Sequence, residues 1–262
     1  MAPSQFNRAR YLDKLGVYMD SAAPRIRQAM QTVAVLRQRH ARTPPLHAAL
    51  LDVKRFQARR FRATYTDLLQ NPRYRQAALF FLDELYGDGN YERRDHQFAR
   101  IANTIARLFP VAVADTAATL AEVHALTEKL DDQMAQCWMG ADVPDLPQRY
   151  IRCWRSVANR PGRQEQLQAV LSLGDELDQL TRTPGLHRLL KMMRAPAALA
   201  GLSSLQHFLE AGFDAFANIN GSAEFLGIVG QREASWLSSL FDADAVTCET
   251  DMRQLLACLD AH

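Results

Sequence analysis

The prolines of this chain fall beside its apolar stretches, and the longer stretches they bound repeat apolar residues with a helical period. Proline lacks an N–H, so it is tolerated in a helix's first turn and breaks the helix anywhere later. Ser21 and Pro24 open a predicted helix running to about Arg42, where Thr43-Pro44-Pro45 stops it and begins the next. That next helix carries Leu46, Leu50, Val53, Phe61, Thr64 and Leu68 near period 3.6, and Asn71-Pro72 breaks it. A third helix is expected over 73–86, with Gly87 as a left-handed stop, and a fourth over about 92–109, interrupted by Pro110. Residues 116–139 read as a long amphipathic helix whose apolar face is Leu120, Val123, Thr127, Leu130, Met134 and Cys137.

After it, helices are expected over 147–158, 161–182, 184–194, 196–218, 222–241 and 247–259. No segment alternates as a strand would, and no internal repeat of fixed period is visible. The fold class expected is all-α: a multi-helix bundle of roughly ten helices. Its two subdomains, 1–139 and 148–262, share a core or form one domain, and 140–147 (GADVPDLP) is the candidate hinge.

A chain of 262 residues with 48% hydrophobic and 23% charged residues buries a core without disulfides or structural metal. The first sixteen residues contain no apolar core of a secretory signal. The uncharged run 195–209 is shorter than the ~20 residues a bilayer requires. A cytoplasmic protein without a membrane span is therefore expected. Cys137, Cys153, Cys248 and Cys258 form no C-x-x-C pair, and a ten-residue helical separation puts the last two ~15 Å apart, beyond disulfide reach.

Charge is unevenly divided. Residues 1–139 hold 20 basic against 14 acidic residues, a net of +6, and the remainder holds 11 against 15, a net of −4. Arg55, Arg59 and Arg62 share a helical face, with Lys54, Arg60, Phe56, Phe61 and Tyr65 close by, and Arg93 and Arg94 follow. Such a face suits anions or a partner protein, or pairs within the chain with Asp52, Asp67 and Asp83. A sequence pI near 8.4 is low for a dedicated nucleic-acid binder, so that reading ranks last.

The run Pro184–Phe216 separates on a helical wheel into three stripes. Leu202, Leu205, Leu209, Phe213 and Phe216 form a core face. Gly201 and Gly212, eleven residues apart, are expected to let a neighbouring helix approach. Ser203, His207, Glu210 and Asp214 form a polar border that His187 and Arg194, seven apart on the preceding segment, could meet. His187, Met193, Arg194, His207, Glu210 and Phe213 are the candidate ligand-binding residues: an apolar wall with a few convergent polar groups. Met192 and Met193 supply adaptable apolar contact.

Catalytic motifs are absent: no phosphate loop, dinucleotide fingerprint, nucleophile elbow, H-E-x-x-H or Glu-x-x-His occurs. His124 and Glu128, four apart, have metal-ligand spacing but lie off the apolar stripe and are expected at the surface. Asp131-Asp132 and Asp175-Glu176-x-Asp178 are read as surface acids. No cofactor and no metal are expected.

Two segments carry a resemblance. FFLDELYG (80–87) with RRDHQFARI (93–101), and LLKMMRAPAALAGLSSLQHFLEAGF (189–213), resemble an uncharacterised, all-helical proteobacterial family. The resemblance implies a bacterial cytosolic protein and brings no catalytic residues. Tyr86 beside Gly87 is a further candidate for closing a pocket. The expectation drawn is a non-catalytic helical module that binds a partner protein or a small apolar-anionic ligand, and a homodimer is compatible with it. The alternatives are an enzyme with a His/carboxylate site, with or without metal, and an arginine-rich nucleic-acid binder.

Overall fold

The computed structural model describes residues 21–84, 91–141 and 143–260, and Tyr86 and Gly87 lie outside them. Among the described residues every regular element is a helix. The first five are α1 (Ala22–Arg42), α2 (Pro44–Thr64), α3 (Thr66–Gln70), α4 (Arg75–Glu84) and α5 (Glu92–Leu108). Next come α6 (Val111–Gly140), α7 (Leu146–Val157), α8 (Arg160–Thr181), α9 (Leu186–Met192) and α10 (Arg194–Leu199). The last three are α11 (Ser203–Ile219), α12 (Ala223–Asp242) and α13 (Ala245–Asp260).

The proline signals act where the sequence places them. Pro44 and Pro45 open α2, Pro147 stands in the first turn of α7 and Pro161 in that of α8. Side chains complete two of these starts: Asp145 accepts from the Gln148 N–H at 2.9 Å, and Asn159 from the Gly162 N–H at 3.0 Å.

Three expectations require correction. The helix expected through Leu68 breaks at Tyr65, whose buried ring sits against Phe61 while its hydroxyl donates to Glu233 at 2.8 Å. The helix expected over 196–218 is two helices, because Gly201 adopts φ +69° and ends α10 before α11 begins. Gly201 therefore serves a turn instead of a helix–helix contact, and what lies nearest it is the Arg100 side chain of α5, 3.7 Å from where a Cβ would stand. Gly212 does sit at a close approach: a Cβ there would stand 3.0 Å from the Phe80 ring.

α6 is the axis of the molecule, with α1, α2, α7 and α8 packed around it. It is not one-faced as expected. Ala114, Ala117, Ala118, Ala121 and Ala125 are buried along its first half, and small side chains let neighbours approach closely. Glu128, Asp131 and Asp132 are buried on its second half, so these acids are not surface groups.

Two apolar cores result. The larger joins α1, the end of α2, α4, α5, the first half of α6, α11 and the first half of α12. The smaller joins the start of α2, the end of α6, α7, α13 and the end of α12. Both take residues from either side of 140–147. Along α2, Val53 and Phe56 belong to one core and Phe61 to the other, so Gln57 and Arg60 lie between them.

Candidate ligand-binding site

An apolar cavity of about 170 Å³ opens where the larger core meets α9 and α10. Val113, Thr116, Ala117 and Leu120 of α6 form its floor, and Ile101, Thr104 and Ile105 of α5 form one wall. Leu177 and Leu180 of α8 face Leu205, Leu209 and Phe213 of α11. Leu186 and Leu190 of α9, with Met193 and Ala197, close it from above.

This roof is thinly packed. α9 buries no residue and α10 only Ala197. Leu186, Leu190 and Met193 are half-buried, turned towards the cavity rather than into a filled core. Gly185 and Gly201, at φ +81° and +69°, bracket the pair, a conformation that favours glycine. α9 and α10 thus form a flap with a left-handed glycine at each end.

Two of the cavity's three polar side chains, Thr116 and Gln206, are already bonded within the protein. Thr116 donates back to the Ala112 carbonyl at 3.0 Å. Gln206 donates to the Leu190 carbonyl at 2.7 Å and to Glu210 at 2.8 Å. The lining therefore selects by shape and apolarity.

The predicted site residues divide around this cavity. Met193 and Phe213 line it. Arg194 donates to both carboxylate oxygens of Glu210 at 2.5–2.9 Å, and its hydrogen bonds, with that of Gln206, hold the Glu210 carboxyl down at about 2. The His187 ring stacks on Phe213 with centroids 4.9 Å apart, and its Nε2 lies 3.0 Å from Asp214 Oδ1, an ion pair when the ring is protonated. Arg194 and His187 both belong to the flap side, and Glu210 and Asp214 to α11. These groups fasten the flap instead of facing the cavity. His207 is exposed and does not line the cavity; its charge adds to those that lower Glu210.

The basic face divides as well. Arg55 and Arg62 are exposed, Arg59 is half-buried, and Arg55 lies 3.7 Å from Asp52. Their neighbours turn inward: Lys54 meets Glu128 at 2.5 Å, and Arg60 makes a two-point pair with Glu233 at 2.8 and 3.2 Å. Arg93 is exposed. Arg94 is not part of a surface face: it is buried over the Phe208 ring at 4.6 Å, with Asp95 3.2 Å from its Nε.

His124 and Glu128 also need correction, since Glu128 is buried and the His124 side chain is only 11% exposed. His124 lies 2.8 Å from Asp95, which Arg37 also contacts. Burial pushes the Asp95 carboxyl up, but the His124 hydrogen bond and the charges of His124, Arg94 and Arg37 outweigh it and bring the group down to about 2. Asp132 is held by His40 at 2.8 Å, Arg39 at 3.0 Å and Gln136 at 2.7 Å. Burial pushes Asp131 up, against the charges of Lys54 and Arg163 and a 3.1 Å bond from Gln57. Among the described residues no group of three or more His, Cys, Asp or Glu is disposed to hold a metal ion. Cations or amides of the protein already contact these acids.

Residues 36–247 match the family described as "Domain of unknown function (DUF8198)". The chain belongs to this family. No curated protein and no solved structure matches it. The span matched to DUF8198 takes in every wall of the cavity, the flap and the buried ionic belt, while most of α13 lies beyond it. Among the described residues no helix is long and apolar enough to cross a membrane.

Sequence reasoning missed the flap. Its signals were present: Pro184-Gly185 and Gly201 on either side of two segments too short to bury themselves.

Proposed function

We propose that this bacterial, cytoplasmic protein is a non-catalytic binding module for a small apolar molecule, taken up in the cavity beneath α9 and α10. The observation that carries this reading is the cavity itself: about 170 Å³, lined almost wholly by aliphatic and aromatic side chains and roofed by half-buried leucines. An apolar void of ~150 Å³ stays dry and admits a benzene-sized guest. Any polar head on the ligand would sit at the rim beside Arg194 and His187. Because Arg194 is already matched by Glu210, the apolar body supplies most of the affinity. The acid–base alternative is less favoured, since the buried carboxylates are engaged by neighbouring cations or amides.

Calorimetric titration with a series of straight-chain alcohols tests this. Affinity should rise about three- to four-fold per added CH₂ until the cavity is full and then level off. A series with no chain-length dependence overturns the reading.

The flap's outer surface favours a second reading, a partner protein that senses the flap. Leu199 is 91% exposed and Met192 71%. Replacing both with Glu should leave alcohol binding intact and abolish capture of such a partner.

A further inference from the structure

A second cavity, of about 40 Å³, lies between α2, α8 and α12 and is unlike the first in character. Arg60, Trp154, Arg163 and Glu233 line it. Glu233 is fully engaged there: Arg60 meets both its oxygens, and the Tyr65 hydroxyl donates to one of them.

Arg163 is not matched in that way. It is only 7% exposed, and among the described residues no carboxylate comes within 4.0 Å of it; the acid whose charge it shares is buried Asp131, farther off and bonded by Gln57. Its Nη1 donates to Gln166 at 3.1 Å, and Gln166 is oriented by its own donation to Thr127 at 2.9 Å. Its guanidinium lies over the Trp154 ring at 4.3 Å. The Nη2 group is buried and reaches no acceptor among the described residues, and the same is true of Trp154 Nε1.

A buried guanidinium needs more than an acceptor for its free N–H. It also needs counter-charge at contact distance, because the cost of removing it from water is electrostatic, and Asp131 acts on it only from beyond 4.0 Å. Stacking on Trp154 accounts for the face of the guanidinium but not for its N–H edge. Water can accept a hydrogen bond but cannot neutralise the charge. Two unmatched donors on residues that line one small cavity, one of them cationic, match in number the two oxygens of a carboxylate, whereas a phosphate presents three or more oxygens to be satisfied.

We propose that this cavity is a binding site for a small carboxylate, held by Arg163 Nη2 and Trp154 Nε1. Half-buried Leu167, Trp236 and Leu237 line the same cavity and would flank the body of the acid. The site is independent of the apolar cavity. α8 contributes Arg163 to one and Leu177 and Leu180 to the other, so one helix is common to both.

The test is a titration of the full chain with acetate against chloride at constant ionic strength. Tryptophan fluorescence and thermal shift are the readouts, since Trp154 and Trp236 both line the cavity. Acetate should give a saturable change with a half-point at least about ten-fold below that of chloride. Arg163→Met should remove the saturable response. Trp154→Phe, followed by thermal shift, should weaken it several-fold, and Arg163→Lys should retain part of it. A response equal for acetate and chloride, no saturable response, or an undiminished response in Arg163→Met each overturns the proposal. Should Arg163→Met fail to fold, Trp154→Phe and Arg163→Lys decide: an unchanged acetate half-point in both is equally fatal.

Discussion

Ala117 is a sensitive place to test whether the apolar cavity is a true void. It lies on α6, is 9% exposed and forms part of the cavity floor. Unfilled space inside a protein forfeits ~24 cal/mol per Å³, so the 170 Å³ cavity corresponds to at most ~4 kcal/mol. A guest that recovered all of this would bind with Kd about 1 mM. At ten times that concentration it would stabilise the fold by ~1.4 kcal/mol, a rise in Tm of roughly 3–5 °C for a chain of this size. Ala117→Leu adds three carbons to the same space. At ~0.8 kcal/mol per buried carbon it should stabilise by up to ~2 kcal/mol, or about 4–8 °C. It should also weaken binding of benzene by about ten-fold or more, because filler and guest compete for one volume. Differential scanning calorimetry with and without benzene reads both effects. A well-packed site would respond oppositely, losing ~1–3 kcal/mol to overpacking. A lowered Tm together with unchanged benzene binding would refute the argument.

Three further outcomes follow from the buried groups. Lys54→Met should cost ~3–5 kcal/mol, roughly 10 °C in Tm, by leaving buried Glu128 without its partner. Lys54→Met/Glu128→Met should recover at least half of that in the same melt, and a double variant no better than the single removes the ion pair from the explanation. Asp95 is depressed in the fold to about 2, so its contribution is fully present above the unfolded carboxylate range near pH 4. That contribution, on the order of 2 kcal/mol, should be lost as pH falls from about 4 to 2, and denaturant melts of Asp95→Asn should lack that component. Finally, burial and the neighbouring Cys137 thiol push the Cys153 thiol up to about 12, so iodoacetamide at neutral pH should modify exposed Cys258 and reach Cys153 only after unfolding, as peptide mass spectrometry would read.

The helical architecture was legible because its signals are local. Proline at a first turn and a 3.6-residue period act within a few residues of themselves, and α1, α7 and α8 begin within a residue or two of where those signals place them. The candidate ligand residues were partly legible for the same reason: Met193 and Phe213 lie on apolar faces of short segments. The acids of α6 were misjudged because their burial is decided by residues far away in sequence. Glu128 goes inside with Lys54 beside it, and Asp132 with His40 and Arg39. Such pairing leaves no periodic trace. Arg163 drew no notice at all: one arginine in the first turn of a helix is unremarkable until Trp154 and Arg60 are brought against it.

The two sides of the molecule differ in how they resist opening, and that difference sets how a guest would enter. The ionic belt around α6 ties α1, α2, α5 and α6 together through buried charges whose separation leaves uncompensated groups in the interior. The flap has no such hold. Its ion pairs sit at the surface, where solvent screens them: the Arg194 side chain is 59% exposed and that of His187 45%. Its apolar hold is Leu186, Leu190 and Met193, each half-buried and worth roughly 1 kcal/mol, with the small buried Ala197, about 3–4 kcal/mol together. That is well below the ~5–15 kcal/mol of global unfolding. Lifting α9 and α10 is therefore the cheapest route to the cavity. Amides of residues 186–199 should exchange with solvent hydrogen faster than those of α6 by about two orders of magnitude or more. A cavity-filling alcohol should slow exchange of the flap amides while leaving α6 unchanged. If the flap exchanges as slowly as α6, the guest must enter elsewhere, and the glycines at its two ends serve only as turns.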